Sequence, residues 1–451
     1  MKPFTCPIFY LLSMLFLANA CFAQDSTKVI TDWLTKQAMP IQYIEPGNNF
    51  SDLQSLKQTW KDVRVIGLGE ATHGTREFFQ MKHRLVEFLV REMNFTAFAL
   101  ESSYSNCQPI NDYILTGKGD RATVLTGQGY MPWDTEEFAA MLDWMKAYNQ
   151  SVAEEKKVKF YGIDVRSYQQ VGREKILDYI QKYASQKATA TKALFDVLAE
   201  EENKWPTRLN QSVLASTFMP VEELNNYFIT NKNKLVAASS LKEWEHTYKY
   251  LEVIRQGLYI NVKDTPAALV AQKLSLGEYM AQNLFYILER ERPGTKFIVW
   301  QQNWHISVRP EDKTLGHHLR QRLGDKYYAL GFKCYEGTFQ ARELLSDGTW
   351  GDLKADTILP FQKSLGWYLS QTSKKNLLLN LRNSVPNPIV AKWLETPIRY
   401  GNGDWIHRKA SENFGTRQIK DLYDGILFIE RSTPVHPTKN AIERSKNRIG
   451  F

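Results

Sequence analysis

The chain has 451 residues, a formal net charge of +8 and an aromatic content of 13%. This length suits one large domain with an insertion, or two domains. The basic excess is spread along the chain, and no basic run with interleaved aromatic residues predicts a nucleic-acid groove. Two of the four cysteines lie in the first 23 residues, and the other two are too few for a disulfide scaffold. We therefore expect Cys107 and Cys334 to be isolated buried thiols.

The first 23 residues are typical of a secretory signal peptide. Lys2 is followed by the apolar stretch Ile8–Leu17, which is too short to span a bilayer, and then by small residues up to Ala23. The alternative is lipidation of Cys21, although Ala18 stands where a lipobox usually has leucine. No later stretch is long and apolar enough for a transmembrane helix. The sequence therefore predicts an exported, periplasmic or secreted protein without a membrane span.

Short, mainly apolar runs without strict alternation predict strands that are covered on both faces. They are Val63–Leu68, Thr96–Leu100, Val158–Ile163, Lys296–Trp300, Tyr327–Phe332, Asn376–Leu381 and Gly425–Ile429. Apolar residues at helical spacing separate the first two runs, which predicts a right-handed parallel crossover. A second helix is predicted to start at Asp134 as N-cap, with Glu137 closing a capping box. The expected fold class is α/β, with a mostly parallel sheet and helices on both faces.

The strand signals vanish between residues 167 and 266, where helical patterns follow one another. A helical block inserted into an α/β core predicts a lid, with residues 24–166 and 267–451 forming the catalytic core. The alternative is a helical layer packed on the sheet without a functional role. The aromatic side chains of the block favour the lid, because they are too many for a surface layer and some are expected to face the cleft. They are Trp205, Phe218, Tyr227, Phe228, Trp244 and Tyr248.

Polar side chains follow four of the predicted strands, at the point where each strand ends. In chain order they are Glu70, His73, Glu101, Asp164, Arg166, Gln302, Asn303 and His305. In parallel open sheets, ligands bind outside the carboxyl ends of the strands. The convergence of acids, amides and imidazoles therefore predicts a single cleft at this edge of the sheet.

The segment after the first strand, Gly67–Thr75, reads GLGEATHGT and combines three glycines with Glu70 and His73. A dinucleotide fingerprint would have a third glycine where Thr72 stands, and no HExxH zinc-protease helix is present. A water-activating pair explains the segment better, because imidazole accepts a proton near neutral pH and a nearby carboxylate fixes its tautomer. The glycines are expected to let the backbone turn tightly and bring substrate close. The sequence has no G-x-S-x-G nucleophile elbow, which disfavours a serine triad.

These residues resemble the erythromycin esterase family. The likeness runs through GLGEATHGTREFFQMKHRLVEFL, FALES, MPWDTEEF, LDWMKAYN, FYGIDVRS, EYMAQN and WQQNWHI, and it covers most of the chain after the signal peptide. The resemblance implies an α/β core with a helical insertion, and hydrolytic opening of a macrolide lactone as a form of antibiotic inactivation. It implies an essential histidine at His73 and acids at Glu70 and Glu101. It also implies that His305 is the second histidine of a His-Asn-x-His motif.

Two departures from the family pattern bear on the substrate and on activity. Gln302 occupies the first histidine position of the His-Asn-x-His motif, and Gly277 and Glu278 replace the usual Arg-Asp pair. A glutamine side chain can donate or accept a hydrogen bond but cannot act as a base. The fold prediction is unaffected by either change.

We interpret the chain as a metal-independent ester or lactone hydrolase that uses no cofactor and acts on a bulky small molecule. In this interpretation His73 deprotonates a water, Glu70 and Glu101 orient it, and His305 with Asn303 steadies the carbonyl oxygen. The proposed catalytic residues are His73, Glu70, Glu101 and His305, and the proposed substrate-binding residues are Asn303, Gln302, Arg166, Asp164 and Trp133.

Several alternatives stay open from the sequence. Asp164 and Arg166 would pair with each other in a purely structural reading, and Trp133 would only pack. Either one of Lys82 and Arg84 pairs with the cleft carboxylates, or both lie on a solvated helix face. At the level of function, the alternatives are an exported, degenerate binding protein and a metal-dependent hydrolase of the wider superfamily. The oligomeric state is not predicted.

Overall fold

A computed structural model describes residues 26–166, 169–204, 211–261, 270, 273–346, 349–383, 385–401, 405 and 414–447. The predictions for the signal peptide, for Cys21 and for Trp205 fall outside these residues. Within the described part of the chain, no helix is long and apolar enough to cross a membrane.

A nine-stranded sheet forms the centre of the fold, and a separate two-stranded sheet lies beside it. The nine strands are β1 (Met39–Pro40), β2 (Val65–Leu68), β3 (Phe95–Ser103), β4 (Lys159–Asp164), β5 (Lys296–Trp300), β6 (Tyr327–Leu344), β7 (Trp350–Ile358), β8 (Asn376–Asn380) and β11 (Gly425–Ser432), and the small sheet pairs β9 (Ile398–Gly401) with β10 (Phe414–Arg417). The order in the large sheet is β1-β8-β11-β6-β2-β5-β3-β4, and β7 pairs with β6 outside this path. Each of the seven predicted runs forms one of these strands.

All pairings from β11 to β4 along this order are parallel, whereas β1, β8 and β7 join the sheet antiparallel. The mostly parallel α/β prediction is therefore confirmed. The strands β2, β5, β3 and β4 are neighbours in the sheet, so their carboxyl ends meet at one edge although they lie far apart in the chain. The small sheet and the β6–β7 hairpin were not predicted.

Helices cover both faces of the sheet, as predicted. They are α1 (26–37), α2 (Leu56–Thr59), α3 (Arg76–Met93), α4 (Gln108–Thr116), α5 (Arg121–Gly127), α6 (Glu136–Ser151), α7 (Gln170–Tyr183), α8 (Ala188–Lys204), α9 (Gln211–Thr230), α10 (Lys232–Ala238), α11 (Leu241–Asn261), α12 (Leu276–Arg290), α13 (Asn303–Ile306), α14 (Leu315–Leu323), α15 (Leu365–Ser370), α16 (Pro388–Glu395) and α17 (Lys439–Lys446). One apolar core joins α3, α4 and α6 to one face, and a second joins α1, α12, α14, α15 and α16 to the other.

The predicted helical block consists of α7 to α11, which build a third apolar core of their own. Phe218, Phe228 and Trp244 are at most 6% exposed within that core, and Trp244 stacks on Tyr248 with ring centroids 4.9 Å apart. These aromatic side chains fill the interior of the block, because five amphipathic helices need apolar side chains to pack against one another. These three residues therefore do not face a cleft, and the expectation that some aromatic residues of the block do so stays a prediction, as does the role of the block as a lid.

Two further expectations were tested by local geometry. Thr135, not Asp134, caps α6, because the Asp134 carboxylate instead accepts hydrogen bonds from the hydroxyls of Thr126 and Thr438. Glu137, which was expected to close a capping box, is bonded to His436. Both cysteines, Cys107 and Cys334, are free and buried, as predicted.

The glycines of Gly67–Thr75 leave room for neighbouring protein atoms to pack closely. The sequence had suggested instead that they bring substrate close. A Cβ atom on Gly69 would lie 2.2 Å from the Asn303 Oδ1 atom, and one on Gly74 would lie 1.8 Å from the Gln340 carbonyl oxygen. Neither glycine has a positive φ angle, so close approach is the reason for glycine at these positions.

We expect Gly74→Ala to destabilise the fold, because its methyl group meets backbone that cannot move aside. Overpacking of this kind costs ~1–3 kcal/mol or more in free energy of unfolding. Urea unfolding measures the change, with Gly127→Ala as the matched control because a Cβ atom there meets nothing within 4 Å. Equal stability of the two variants would contradict the close packing at Gly74.

Candidate active site

The site is centred on a histidine–carboxylate pair in the loop between β2 and α3. The His73 Nδ1 atom lies 2.6 Å from Glu70 Oε1, and both residues are buried. Glu70 comes directly after β2, so the end of that strand fixes the carboxylate and places the imidazole three residues later. A neutral imidazole that donates its Nδ1–H to the carboxylate keeps Nε2 as the nitrogen able to accept a proton.

The second oxygen of Glu70 is bonded to two groups from neighbouring elements. Lys82 of α3 donates to Glu70 Oε2 at 2.6 Å, and the Trp300 indole at the end of β5 donates to the same atom at 2.8 Å. Lys82 is fully buried, and its ammonium also lies 4.3 Å from the Trp300 ring centroid. The Glu70 carboxylate is therefore held by three donors in the protein interior.

A second carboxylate, Glu101 in β3, is bonded to groups that follow the other strands. Its Oε1 atom is 2.9 Å from an Nη atom of Arg166 and 3.1 Å from His305 Nε2, and its Oε2 accepts the Gln302 backbone N–H at 2.8 Å. Burial alone would raise the pKa of Glu101. The nearby His305, His73 and Arg166 outweigh burial and hold that pKa well below its usual range. Glu101 is therefore an anion at any working pH.

Arg166 links Glu101 to Asp164, which ends β4. The Arg166 guanidinium is bonded to Asp164 Oδ2 at 2.6 and 2.9 Å, so the pairing that the sequence left open does occur. Asp164 is fully buried, which makes it an anchor for Arg166 and not the substrate contact expected from the sequence. The Arg166 side chain as a whole is 27% exposed, more than Asp164 or Glu101 beside it.

The segment after β5 enters the site as expected, but Asn303 does not have the role suggested by the sequence. Its amide donates to the Phe332 carbonyl at 2.7 Å and to the Tyr400 hydroxyl at 3.2 Å, and its Oδ1 accepts the Phe332 N–H. Both amide hydrogens are therefore used, and the residue is fully buried. Asn303 fixes the loop that presents His305, and it has no hydrogen left for a carbonyl oxygen.

Trp133 connects the two carboxylate clusters. Its indole N–H donates to the Glu101 carbonyl oxygen at 2.9 Å, and its ring lies edge-on to His73 at 5.3 Å between centroids. Only 1% of Trp133 is exposed. It packs against His73 and has no exposed surface for the substrate contact suggested by the sequence. The residues from four strand ends thus form one continuous cluster, as the sequence predicted.

A family model described as erythromycin esterase matches residues 90–432 of the chain. The match covers more than half of the sequence and includes Glu101, Arg166 and the segment Gln302–His305. The chain belongs to the erythromycin esterase family. The fold and the site geometry agree with the α/β core that the sequence resemblance implied.

Two curated relatives extend this erythromycin esterase similarity over almost the whole chain. A protein named erythromycin esterase type II from Escherichia coli is 24% identical, over 89% of this chain and 97% of its own length. A putative hydrolase from Bacillus subtilis is 23% identical, over 93% and 94%. The solved structure of an erythromycin esterase mutant in its open conformation shares the fold, with a TM-score of 0.67 and 16% identity, over 86% of this chain and 96% of that one. The family and both relatives carry hydrolase or esterase names.

No described group of three or more His, Cys, Asp or Glu side chains is arranged to hold a metal ion. The carboxylates of Glu70 and Glu101 instead face cationic and N–H donors of the protein, as given above.

The sequence left open whether Lys82 pairs with a cleft carboxylate, and the structure shows that it does, through Glu70. The contact of Trp300 with Glu70 was not predicted. A signal for the burial of Lys82 was present, because it lies four residues after Phe78 and three before Leu85, both on the apolar stripe of α3. Burial of a lysine in such a stripe is costly unless an acid pairs with it.

Proposed function

We propose that the protein hydrolyses an ester or lactone of a bulky small molecule with a water activated by His73. The observation that carries this proposal is the 2.6 Å contact between His73 Nδ1 and Glu70 Oε1 inside a buried polar cluster. It fixes the tautomer in which Nε2 accepts a proton, and it stabilises the imidazolium that forms when a water is deprotonated.

The remaining charges suit the tetrahedral intermediate of acyl transfer. The attacking water places negative charge on the carbonyl oxygen, and a fixed cation or N–H donor beside that oxygen lowers the barrier. We assign this role to Arg166, held by Asp164 and Glu101, and to His305, held by Glu101. The leaving alcohol then takes its proton from the His73 imidazolium. Gln302 adds a neutral side-chain donor at the start of α13.

The family implies a macrolide lactone as substrate, and hence antibiotic inactivation as the biological role. Together with the predicted signal peptide, this places the reaction in the periplasm or outside the cell, where a drug would be intercepted before it enters the cytoplasm. The helical block α7–α11 would act as the lid over such a substrate.

The direct test is a panel of macrolides, simpler lactones and carboxylic esters incubated with the purified protein and followed by mass spectrometry. A product that gains the mass of one water without losing a fragment identifies lactone opening, and cleavage into acid and alcohol identifies an ester. Activity that is lost in EDTA and restored by a divalent metal would favour the metal-dependent alternative. Binding without turnover across the panel would favour the degenerate binding protein.

We expect Gln302→His to raise turnover of a hydrolysed substrate by roughly one decade, with little change in melting temperature. A protonated imidazole gives a charged hydrogen bond of ~1.5–3 kcal/mol in place of a neutral one of ~0.5–1.5 kcal/mol, and ~1.4 kcal/mol is tenfold in rate. The measurement is kcat on each hydrolysed member of the panel. A folded variant with an unchanged or lower rate on all of them would mean that Gln302 is adapted to a different substrate.

A further inference from the structure

Lys82 is a buried cation that the proposed reaction does not use directly. Its side chain is fully buried in α3, 2.6 Å from Glu70 Oε2, and lies over the rings of Trp300 and Phe332. Removing an ammonium group from water is costly, and a neutral apolar side chain would suit the surrounding stripe of α3 better. The burial of this ammonium group therefore indicates that the positive charge of Lys82 has a function.

We propose that Lys82 is a positioning residue that sets the protonation state of the Glu70–His73 pair, keeping Glu70 ionised and His73 neutral. This inference rests on the proposed function, in which His73 must be unprotonated to accept a proton from water. Glu70 accepts from His73, Lys82 and Trp300, and among these donors only Lys82 and His73 can carry a positive charge. While Lys82 neutralises the carboxylate, His73 is not required to do so.

The other charges around the pair do not replace Lys82. Glu101 is near both Lys82 and His73, and it favours the protonated form of each. Glu101 is itself paired with Arg166 and in contact with His305, and Arg166 is shared with Asp164. Loss of Lys82 would therefore leave the buried Glu70 anion with His73 as the cation able to neutralise it. An opposite charge at this distance shifts a titration by about 1–3 pH units.

Burial opposes the charge on Lys82, and the neighbouring carboxylates favour it. Burial lowers the pKa of the Lys82 ammonium to about 8, although Glu70 and Glu101 act in the opposite direction. Lys82 is thus charged at neutral pH and loses its proton as the pH rises through about 8. A change in the charge of Lys82 next to Glu70 would be sensed by His73 through the shared carboxylate.

The test is an NMR titration of the His73 imidazole, assigned by comparison with His73→Gln, in the full-length protein without substrate. In Lys82→Met we expect His73 to titrate at least about one pH unit higher than in the wild type. Lys333→Met is the matched control. Lys333 is also buried, with a pKa lowered to about 8, but it lies 4.4 Å from the Tyr400 ring centroid and is not bonded to a site carboxylate. That variant should leave the His73 titration unchanged.

An unchanged or lower His73 titration in folded Lys82→Met would overturn the proposal, because a merely structural lysine would not move it upward. If Lys82→Met does not fold, Lys82→Gln decides, with the same upward direction expected for the His73 titration. None of these measurements needs turnover, so failure of the hydrolase proposal and failure of this one are distinguishable.

Discussion

His73→Ala is expected to abolish measurable hydrolysis while the protein stays folded. A positioned general base contributes ~10²–10⁴ in rate, and His73 is the imidazole whose tautomer Glu70 fixes. The fold should tolerate the change, because Glu70 keeps its bonds to Lys82 and Trp300. The measurement is kcat/KM on whichever ester or lactone the wild type hydrolyses, together with the melting temperature of both proteins.

His83→Gln provides the matched control for this variant. His83 is also buried on α3, but its ring packs on Trp144 with centroids 5.9 Å apart and lies away from the strand ends. Its substitution should leave kcat/KM within a few-fold of the wild-type value. This corresponds to a change of less than ~1 kcal/mol in barrier height. Near-full activity of His73→Ala would contradict the mechanism.

Glu101→Gln is expected to lower both activity and stability. The substitution removes the anion that faces Arg166 and His305, and breaking a buried ion pair typically costs ~3–5 kcal/mol in free energy of unfolding. Asp164 still pairs with Arg166, so we expect the lower part of this range. Because Arg166 and His305 lose the partner that orients them, kcat/KM should fall by ~10²-fold or more.

The pH dependence of this loss has a definite sign. The folded-state pKa of Glu101 is well below its usual range, so its stabilising contribution is fully present above the ordinary glutamate pKa of about 4.3 and is lost as the pH falls through the folded value. The stability difference between wild type and Glu101→Gln, measured by urea unfolding, should therefore be constant from pH 7 to about 5 and shrink only in more acidic solution.

Glu87→Gln gives the opposite case. Burial raises the pKa of Glu87, so this carboxyl destabilises the fold when charged. Its stabilising contribution is fully present below the ordinary glutamate pKa and is lost as the pH rises through the raised folded value. Removal of its charge should therefore not reproduce the loss seen for Glu101→Gln at pH 7. Equal effects of the two variants would show that burial, and not ion pairing, determines the role of Glu101.

The sequence predicted the parts of the site that depend on local order. Glu70 and His73 are three residues apart after a strand, and Glu101 ends the next predicted strand, so the parallel topology alone brings them to one edge. The roles of individual side chains depend on contacts across the sheet, which no local pattern encodes. Asn303 was misread because its partner, the Phe332 backbone, is 29 residues away in the chain and lies on β6, which β2 separates from β5 in the sheet.

The contacts of Lys82 and Trp133 also depend on residues that are distant in the chain. A lysine on an amphipathic helix is usually solvated, and only the approach of Glu70 over 12 residues makes burial favourable. Trp133 is held against His73 by a hydrogen bond to the Glu101 carbonyl in β3, a contact over 32 residues that no local pattern links. The cap of α6 was misplaced by one residue for a similar reason, since Asp134 bonds to Thr438 near the end of the chain.

The central claim, direct attack of a His73-activated water on an ester carbonyl, is tested most directly by a single turnover in ¹⁸O-labelled water. Excess enzyme is mixed with the hydrolysed substrate, and the acid product is analysed by mass spectrometry. Attack by water predicts that the product carboxyl group contains one labelled oxygen from the first turnover, and that His73→Ala forms no product on the same timescale. An unlabelled carboxyl group in that first turnover would show that an oxygen of the protein, such as one of the Glu70 or Glu101 carboxylates, attacks instead, and it would contradict the proposed mechanism.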